Sequence, residues 1–214
     1  MPALRPLCRP SLRFATALVI AAGLVIVAGL CGAATPRPAD PGELAGQLLI
    51  AAPTIGDPRF YHAVILLVRQ DKTGAFGIIL NRPLEKQSIK SLLEAAGDRA
   101  AGVEGSIVVF AGGPVEPELG FVVHSTDYHD PHTIAVDRDV AVTADKEILR
   151  DIGHHHGPKQ SLFAFGYAGW GPGQLQTEIA RHDWFTTTGD PKLIFDDGRG
   201  ELWDDAMARR TREL

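Results

Sequence analysis

The chain has 214 residues, of which 21 are basic and 26 acidic, for a formal net charge of −5 at pH 7. An acidic surplus disfavours nucleic acid as a partner, because affinity for phosphate backbones comes from clustered Lys and Arg, and no basic run precedes the short closing "ARRTREL". Both cysteines, Cys8 and Cys31, lie near the N-terminus; a chain cut after Ala34 would hold none, which excludes disulfides, thiolate nucleophiles and cysteine metal sites there.

Arg5, Arg9 and Arg13 make a basic start, and an uncharged apolar run follows from Phe14 to Leu30. With Gly32-Ala33-Ala34 as a small-residue cleavage site, residues 1–34 read as a secretory leader. The run is also just long enough to cross a bilayer, so an uncleaved anchor is the rival. Either reading sends the rest of the chain out of the cytoplasm, exported to the periplasm or anchored in the inner membrane facing outward. A membrane would then be met only through residues 14–30. Leu30 before Cys31 argues against lipidation, which wants a small residue there. Losing three arginines and no acid takes the net charge from −5 to −8. Residues 35–43, rich in proline, read as a tether, and residues 44–214 as one domain with a sizeable core.

Within that domain "QLLIAAP" is a short strand stopped by Pro53. "FYHAVILLVRQ" and "GAFGIILN" flank the turn "DKTG", which predicts a β-hairpin buried on both faces. "SIKSLLEAAG" has helical spacing at Ile89, Leu92, Leu93 and Ala96. "SIVVFAGG" and "LGFVVHS" are strands, and "GGPVEPE" between them turns the chain. "TADKEILRDIGHHHG" predicts a helix with Thr143 as its N-cap. "SLFAFGYAG" is a strand, "QLQTEIARHDW" the helix after it, "KLIF" a last strand and "ELWDDAMARR" a terminal helix. The pattern predicts a single compact α/β domain with a mixed, largely antiparallel sheet and flanking helices.

In "GYAGWGPGQL" the chain leaves a buried strand and enters a helix almost at once. Glycine permits the backbone angles of such a turn, and Pro172 suits a helix start. The spacing Gly169-x-Gly171-x-Gly173 matches neither the dinucleotide nor the Walker pattern, and no Lys or Arg follows until Arg181. Trp170 is therefore either packing in a corner, with Gln174 or Glu178 satisfying turn amides, or one wall of a ligand groove.

The blocks "GQLLIAAPTIGDPRFYHAVILLV", "TGAFGIILNRP", "VFAGGPVEPELGFVVHS" and "FGYAGWGPGQLQTEIARHDW" stand in order with near-normal spacing. In them the chain resembles the YqgE/AlgH family, from about Leu44 to "LIFDDGRGELWDDAM". The resemblance implies a compact α/β domain and brings no agreed catalytic residue or cofactor. Some members are described as transcriptional regulators. Relatives usually begin near the first strand, so the leader departs from the pattern, and an exported copy could not regulate transcription directly.

"HSTDYHDPH" offers His124, Asp127, His129, Asp130 and His132, which are metal-ligand types as well as turn residues, and "GHHHG" adds three adjacent histidines that cannot all face one metal from a regular helix. No metal and no cofactor is assigned. The Gly-x-Ser-x-Gly elbow of hydrolases is absent. Asn81 and Arg82 close one strand, and Gly112 and Gly113 close another. Together with His124, Trp170, Gln174 and Glu178 they are the candidate ligand-binding residues of one cleft at the sheet edge, where α/β folds place their sites. The first reading is a binding module for an unidentified protein or small ligand. The second is an enzyme of unrecognised type using His124 or Glu178 for proton transfer in that cleft, and the third a cytosolic regulator, which requires the leader to be misread.

Overall fold

The computed structural model describes residues 44–210, and the elements that follow are those of the described residues; the expected leader and tether, residues 1–43, lie outside them. Ten strands and five α-helices follow in the order β1 (Gln47–Ala51), β2 (Val64–Asp71), β3 (Gly74–Ile79), β4 (Pro83–Ser88), α1 (Ile89–Ala95), β5 (Ser106–Ala111), β6 (Val115–Ser125), β7 (Thr133–Ala135), β8 (Val140–Thr143), α2 (Glu147–Gly153), β9 (Ser161–Trp170), α3 (Gln174–Ala180), β10 (Trp184–Thr188), α4 (Pro191–Phe195) and α5 (Leu202–Arg209). The sheet runs β10-β1-β2-β3-β9-β6-β8-β7, with β5 on β9 and β4 on β5. Every pairing is antiparallel except β5 with β9, so the sheet is mixed and largely antiparallel, as expected.

Strand β9 is the hub. Phe163–Phe165 pair with β5 on one edge, Ser161–Phe165 with β6 on the other, and Ala168–Trp170 go on to β3. The change of partner falls at Gly166, whose φ of +73° is left-handed. A Cβ on Gly113 would sit 2.0 Å from the Tyr167 carbonyl carbon, and one on Gly166 would sit 2.5 Å from the Gly113 oxygen. The glycines let two backbones cross where no side chain fits.

Alternation along β1 and β2 explains their continuous apolar runs. Leu48, Ile50, Val64 and Leu66 face a cluster closed by Leu193 and Ile194 of α4 and Leu202 and Ala206 of α5. Leu49, Ala51, Ile65 and Leu67 face the opposite cluster with Trp170, Leu175 and Trp184. Both faces are covered, so neither needs polar residues. A third cluster packs α1 and α2 on Val109, Val122 and Phe163. Ser88 starts α1 by accepting the Ser91 N–H at 3.0 Å, as N-cap serine does.

Three predicted elements change. "KLIF" is the helix α4, because Asp190 accepts the Lys192 N–H at 2.9 Å and Pro191 pre-sets the first helical φ. Thr143 ends strand β8 and turns its hydroxyl to His124, while Asp145 accepts the Glu147 N–H at the start of α2. "VEPE" belongs to strand β6, so the turn is confined to Gly112–Pro114; the strand bulges between Val115 and Gly120, with Glu116 at φ 45°. Strands β4, β7, β8 and β10 are additions to the predicted set.

Candidate functional site

The Trp170 corner is built by contacts local to the opening of α3. Trp170 ends β9, and Gly173 at φ 73° brings the chain into the helix. Gln174 Oε1 accepts the Gly171 N–H at 3.0 Å, which closes the turn. One turn later, Glu178 faces back toward the sheet. Its Oε2 accepts the indole N–H of Trp170 at 2.8 Å and that of Trp184 at 2.9 Å, and its Oε1 accepts Gln174 Nε2 at 2.8 Å. Trp184, at the start of β10, meets Trp170 edge-to-face at 5.8 Å. Phe60 meets Trp184 in the same way at 5.5 Å. Both indoles are buried, at 6% and 2% exposure. Buried indole N–H groups require an acceptor, and one carboxylate serves both.

Over this floor lies a cavity of about 430 Å³, lined among others by Phe60, Pro114, Gly169, Trp170, Gln174 and Glu178. Two ion pairs guard its rim. Arg59 meets Asp57 at 2.6 Å, and Arg181 meets Asp183 at 2.8 Å. The hydrogen bond from the Arg59 guanidinium holds the Asp57 carboxyl below its ordinary range. A second cavity, of about 480 Å³, shares Val115, Gly169 and Trp170 and continues past Phe76, Phe121 and Tyr167. Trp170 thus both fills a corner and walls a groove.

The other candidate residues go elsewhere. Asn81 Oδ1 accepts the Val64 N–H at 3.0 Å, and its Nδ2 donates to the His62 carbonyl at 2.8 Å. Arg82 donates to the Tyr61 carbonyl. The pair clamps the corner where Tyr61, His62 and Trp203 stack, with successive centroids 4.0 Å apart. Gly112 donates its N–H to Phe165 and accepts from Ile79. Gly113 crosses Tyr167, and Pro114 after it reaches the Trp170 cavity.

His124 is fully buried on β6. Its Nδ1 lies 2.9 Å from the Ser125 carbonyl, which can only accept, so Nδ1 carries the proton. Nε2 then accepts the Thr143 hydroxyl at 2.9 Å. Thr143 accepts from Thr133 at 2.7 Å, and Thr133 accepts the Asp130 N–H at 3.0 Å. Burial holds the imidazole below its ordinary pKa, outweighing the Ser125 carbonyl and Asp127. The ring is neutral, fully bonded, and absent from the lining of the Glu178 cavity.

Residues that sequence reasoning missed at this corner are Asp57, Arg59, Phe60 and Trp184, which tertiary packing delivers; the Asp-Pro-Arg run was the one visible signal. Among the described residues, one group has metal-ligand spacing, Asp130, His132 and Asp145, with ligand atoms within 4.8 Å of one another. The triple histidine does not join it. Among the described residues, no helix is long and apolar enough to cross a membrane.

The curled sheet hub, with its glycine crossing and tryptophan-floored cavity, defines a one-domain α/β protein built around the "GYAGWGPGQL" turn. The chain belongs to the AlgH-like family, whose model matches residues 48–214. A UPF0301 protein of Jannaschia sp. (strain CCS1) is 43% identical over 167 residues, covering 77% of this chain and 87% of the relative. A UPF0301 protein of Sphingopyxis alaskensis is 42% identical over 169 residues, covering 78% and 89%. The solution structure of AlgH from Pseudomonas aeruginosa superposes with a TM-score of 0.69 at 32% identity, over 81% of this chain and 92% of that one. DIP2367 of Corynebacterium diphtheriae, at 22% identity and a TM-score of 0.61 over 78% and 86%, is alike in fold.

Proposed function

We propose that this domain is a binding module, held outside the cytoplasm by or after its N-terminal segment, that takes a protein or small ligand in the Trp170 cavity. One observation carries the reading. Glu178, the carboxylate beneath the two indoles, already accepts three hydrogen bonds, two at Oε2 from Trp170 and Trp184 and one at Oε1 from Gln174. A proton-transfer group needs a free oxygen facing its substrate, whereas a rigid polar-aromatic floor suits recognition. Among the described residues no Ser, Thr, Cys, Lys or His lines the cavity, and its other two carboxylates, Asp57 and Asp183, are held in ion pairs by Arg59 and Arg181, which weighs against the enzymatic reading there. The basic start followed by Phe14–Leu30 supports export or anchoring.

The test follows the indole N–H resonances of the isotopically labelled full chain through a fragment library and a lysate fraction. The Trp170 and Trp184 signals are expected to shift while that of Trp203 stays. A turnover found in a substrate panel and lost in Glu178→Gln would replace the binding reading with the enzymatic one. Cell fractionation with N-terminal sequencing tests the location, and an intact N-terminus in the cytoplasm would refute it.

A further inference from the structure

A separate cavity of about 630 Å³ opens on the other part of the sheet, where α1 and α2 leave a gap over β6 and β9. Its floor is the edge-to-face pair Phe163 and Phe165, with centroids 4.9 Å apart, and its walls are Leu92, Val122 and Leu149. Gly120 keeps the floor open: a Cβ there would stand 2.9 Å from the Phe163 ring. This is the volume and lining of a small-molecule site, apolar inside with few polar groups.

The rim carries the charge. The carboxylate of Glu118, on the bulged part of β6, has no hydrogen bond or ion pair among the described residues. Asp145 gives Oδ1 to the Glu147 N–H at 2.9 Å, and its Oδ2 lies 3.3 Å from His132. Among the described residues the rim has one cation, Lys146, which is paired with Asp98 at 3.1 Å, and Asp98 also holds Arg150 at 2.8 Å. An incoming anion would therefore meet acidic groups and a cation already neutralised, while an incoming cation meets an unpaired carboxylate.

We propose that this cavity binds an amphipathic organic cation, with its apolar body on Phe163 and Phe165 and its ammonium group at the rim that carries Glu118 and Asp145. The site is independent of the Trp170 cavity, and neither reading requires the other.

Three probes of one shape separate the contributions: phenylbutylamine, phenylbutanol and phenylbutanoate, titrated into the labelled full chain by amide NMR. The expected order is amine tighter than alcohol and alcohol tighter than carboxylate, by about 2- to 5-fold per step, the range of exposed charge pairs. The responding amides should be those of Ala95, Ala96, Gly120 and Ala144. Ala95 is exposed at the mouth, so Ala95→Trp should keep the spectrum of the fold and abolish binding. Glu118→Gln with Asp145→Asn, which preserves the cap on Glu147, should bring the amine to the affinity of the alcohol and leave the alcohol unchanged. Equal affinity for all three probes, preference for the carboxylate, no response at those amides, or full binding in a folded Ala95→Trp chain each overturns the proposal. Shifts of the same amides on diluting the protein alone would make a second copy the occupant, and would overturn it too.

Discussion

Glu178→Ala tests whether one carboxylate organises the tryptophan corner. The substitution strands two indole N–H groups, at 6% and 2% exposure, that now donate to Oε2 at 2.8 and 2.9 Å. Leaving a buried donor unpaired costs about 1–3 kcal/mol. Water from the adjoining cavity can reach part of the gap, so the expected loss is about 2–4 kcal/mol rather than the full sum. Alanine is the better helix former, by a few tenths of a kcal/mol, so local propensity works against this loss and cannot produce it. Glu178→Gln should cost only about 1 kcal/mol, since its amide oxygen can still accept from both indoles. Urea unfolding followed by circular dichroism gives the values independently of tryptophan emission. Trp184→Phe supplies the coupling: it should cost less in the Glu178→Ala chain than in the native one, because there the Trp184 donor is already orphaned. If Glu178→Ala costs under about 0.5 kcal/mol and the two changes are additive, the corner is held by packing alone and the proposed ligand site lacks its rigid floor.

His124 gives a pH signature. Its folded pKa is depressed by burial, so its contribution is complete above the unfolded value of about 6.5 and is lost as pH falls below it, with a slope of up to about 1.4 kcal/mol per pH unit. Denaturant titrations between pH 7 and 5 should show a shallower slope in His124→Gln, and identical slopes would mean that the ring protonates freely in the fold. Asp190→Ala removes the α4 cap and the 3.0 Å contact to Arg209, and should cost about 1–2 kcal/mol, whereas Asp190→Asn, keeping the cap, should cost about 0.5. Gly113→Ala must displace the Tyr167 backbone and should cost more than about 3 kcal/mol or prevent folding. Gly173→Ala, at φ +73° with nothing within 4 Å, pays conformational strain alone, about 1–2 kcal/mol. Equal costs at the two glycines would remove the backbone crossing as the reason for Gly113.

The sheet was most legible where burial left no ambiguity. β1 and the first five residues of β2 are covered on both faces, so they form unbroken apolar runs, as a central strand does. Edge elements carry no such mark. β4 is almost wholly exposed, and its Leu-Glu-Lys-Gln stretch has no apolar alternation to read. β10 starts at Trp184, which reads equally well as the end of the preceding helix. A run as short as "KLIF" fits one strand or one helical turn, and only Asp190-Pro191 before it decides. At the site, Trp170, Gln174 and Glu178 were legible together because they lie four residues apart and share one face of the strand–helix turn. Asp57, Arg59 and Trp184 reach it through β-sheet and loop packing that no local spacing encodes.

Asn81 and Arg82 show why polar, glycine-flanked strand ends are ambiguous signals. In sequence they look like ligand contacts, yet both spend their hydrogen bonds on the backbone of residues 61–64. The glycines behave alike. The N–H of Gly112 goes to Phe165 and that of Gly171 to Gln174, so neither amide is left to cradle an anion. What the glycines supply is proximity: the crossing of Gly113 over Tyr167 lets β6 begin beside β9, and it is this closeness that sets Pro114 and Val115 against Trp170. The proposed recognition surface is therefore aromatic and carboxylate in character, and the glycine-rich turn is the scaffold that brings its walls together.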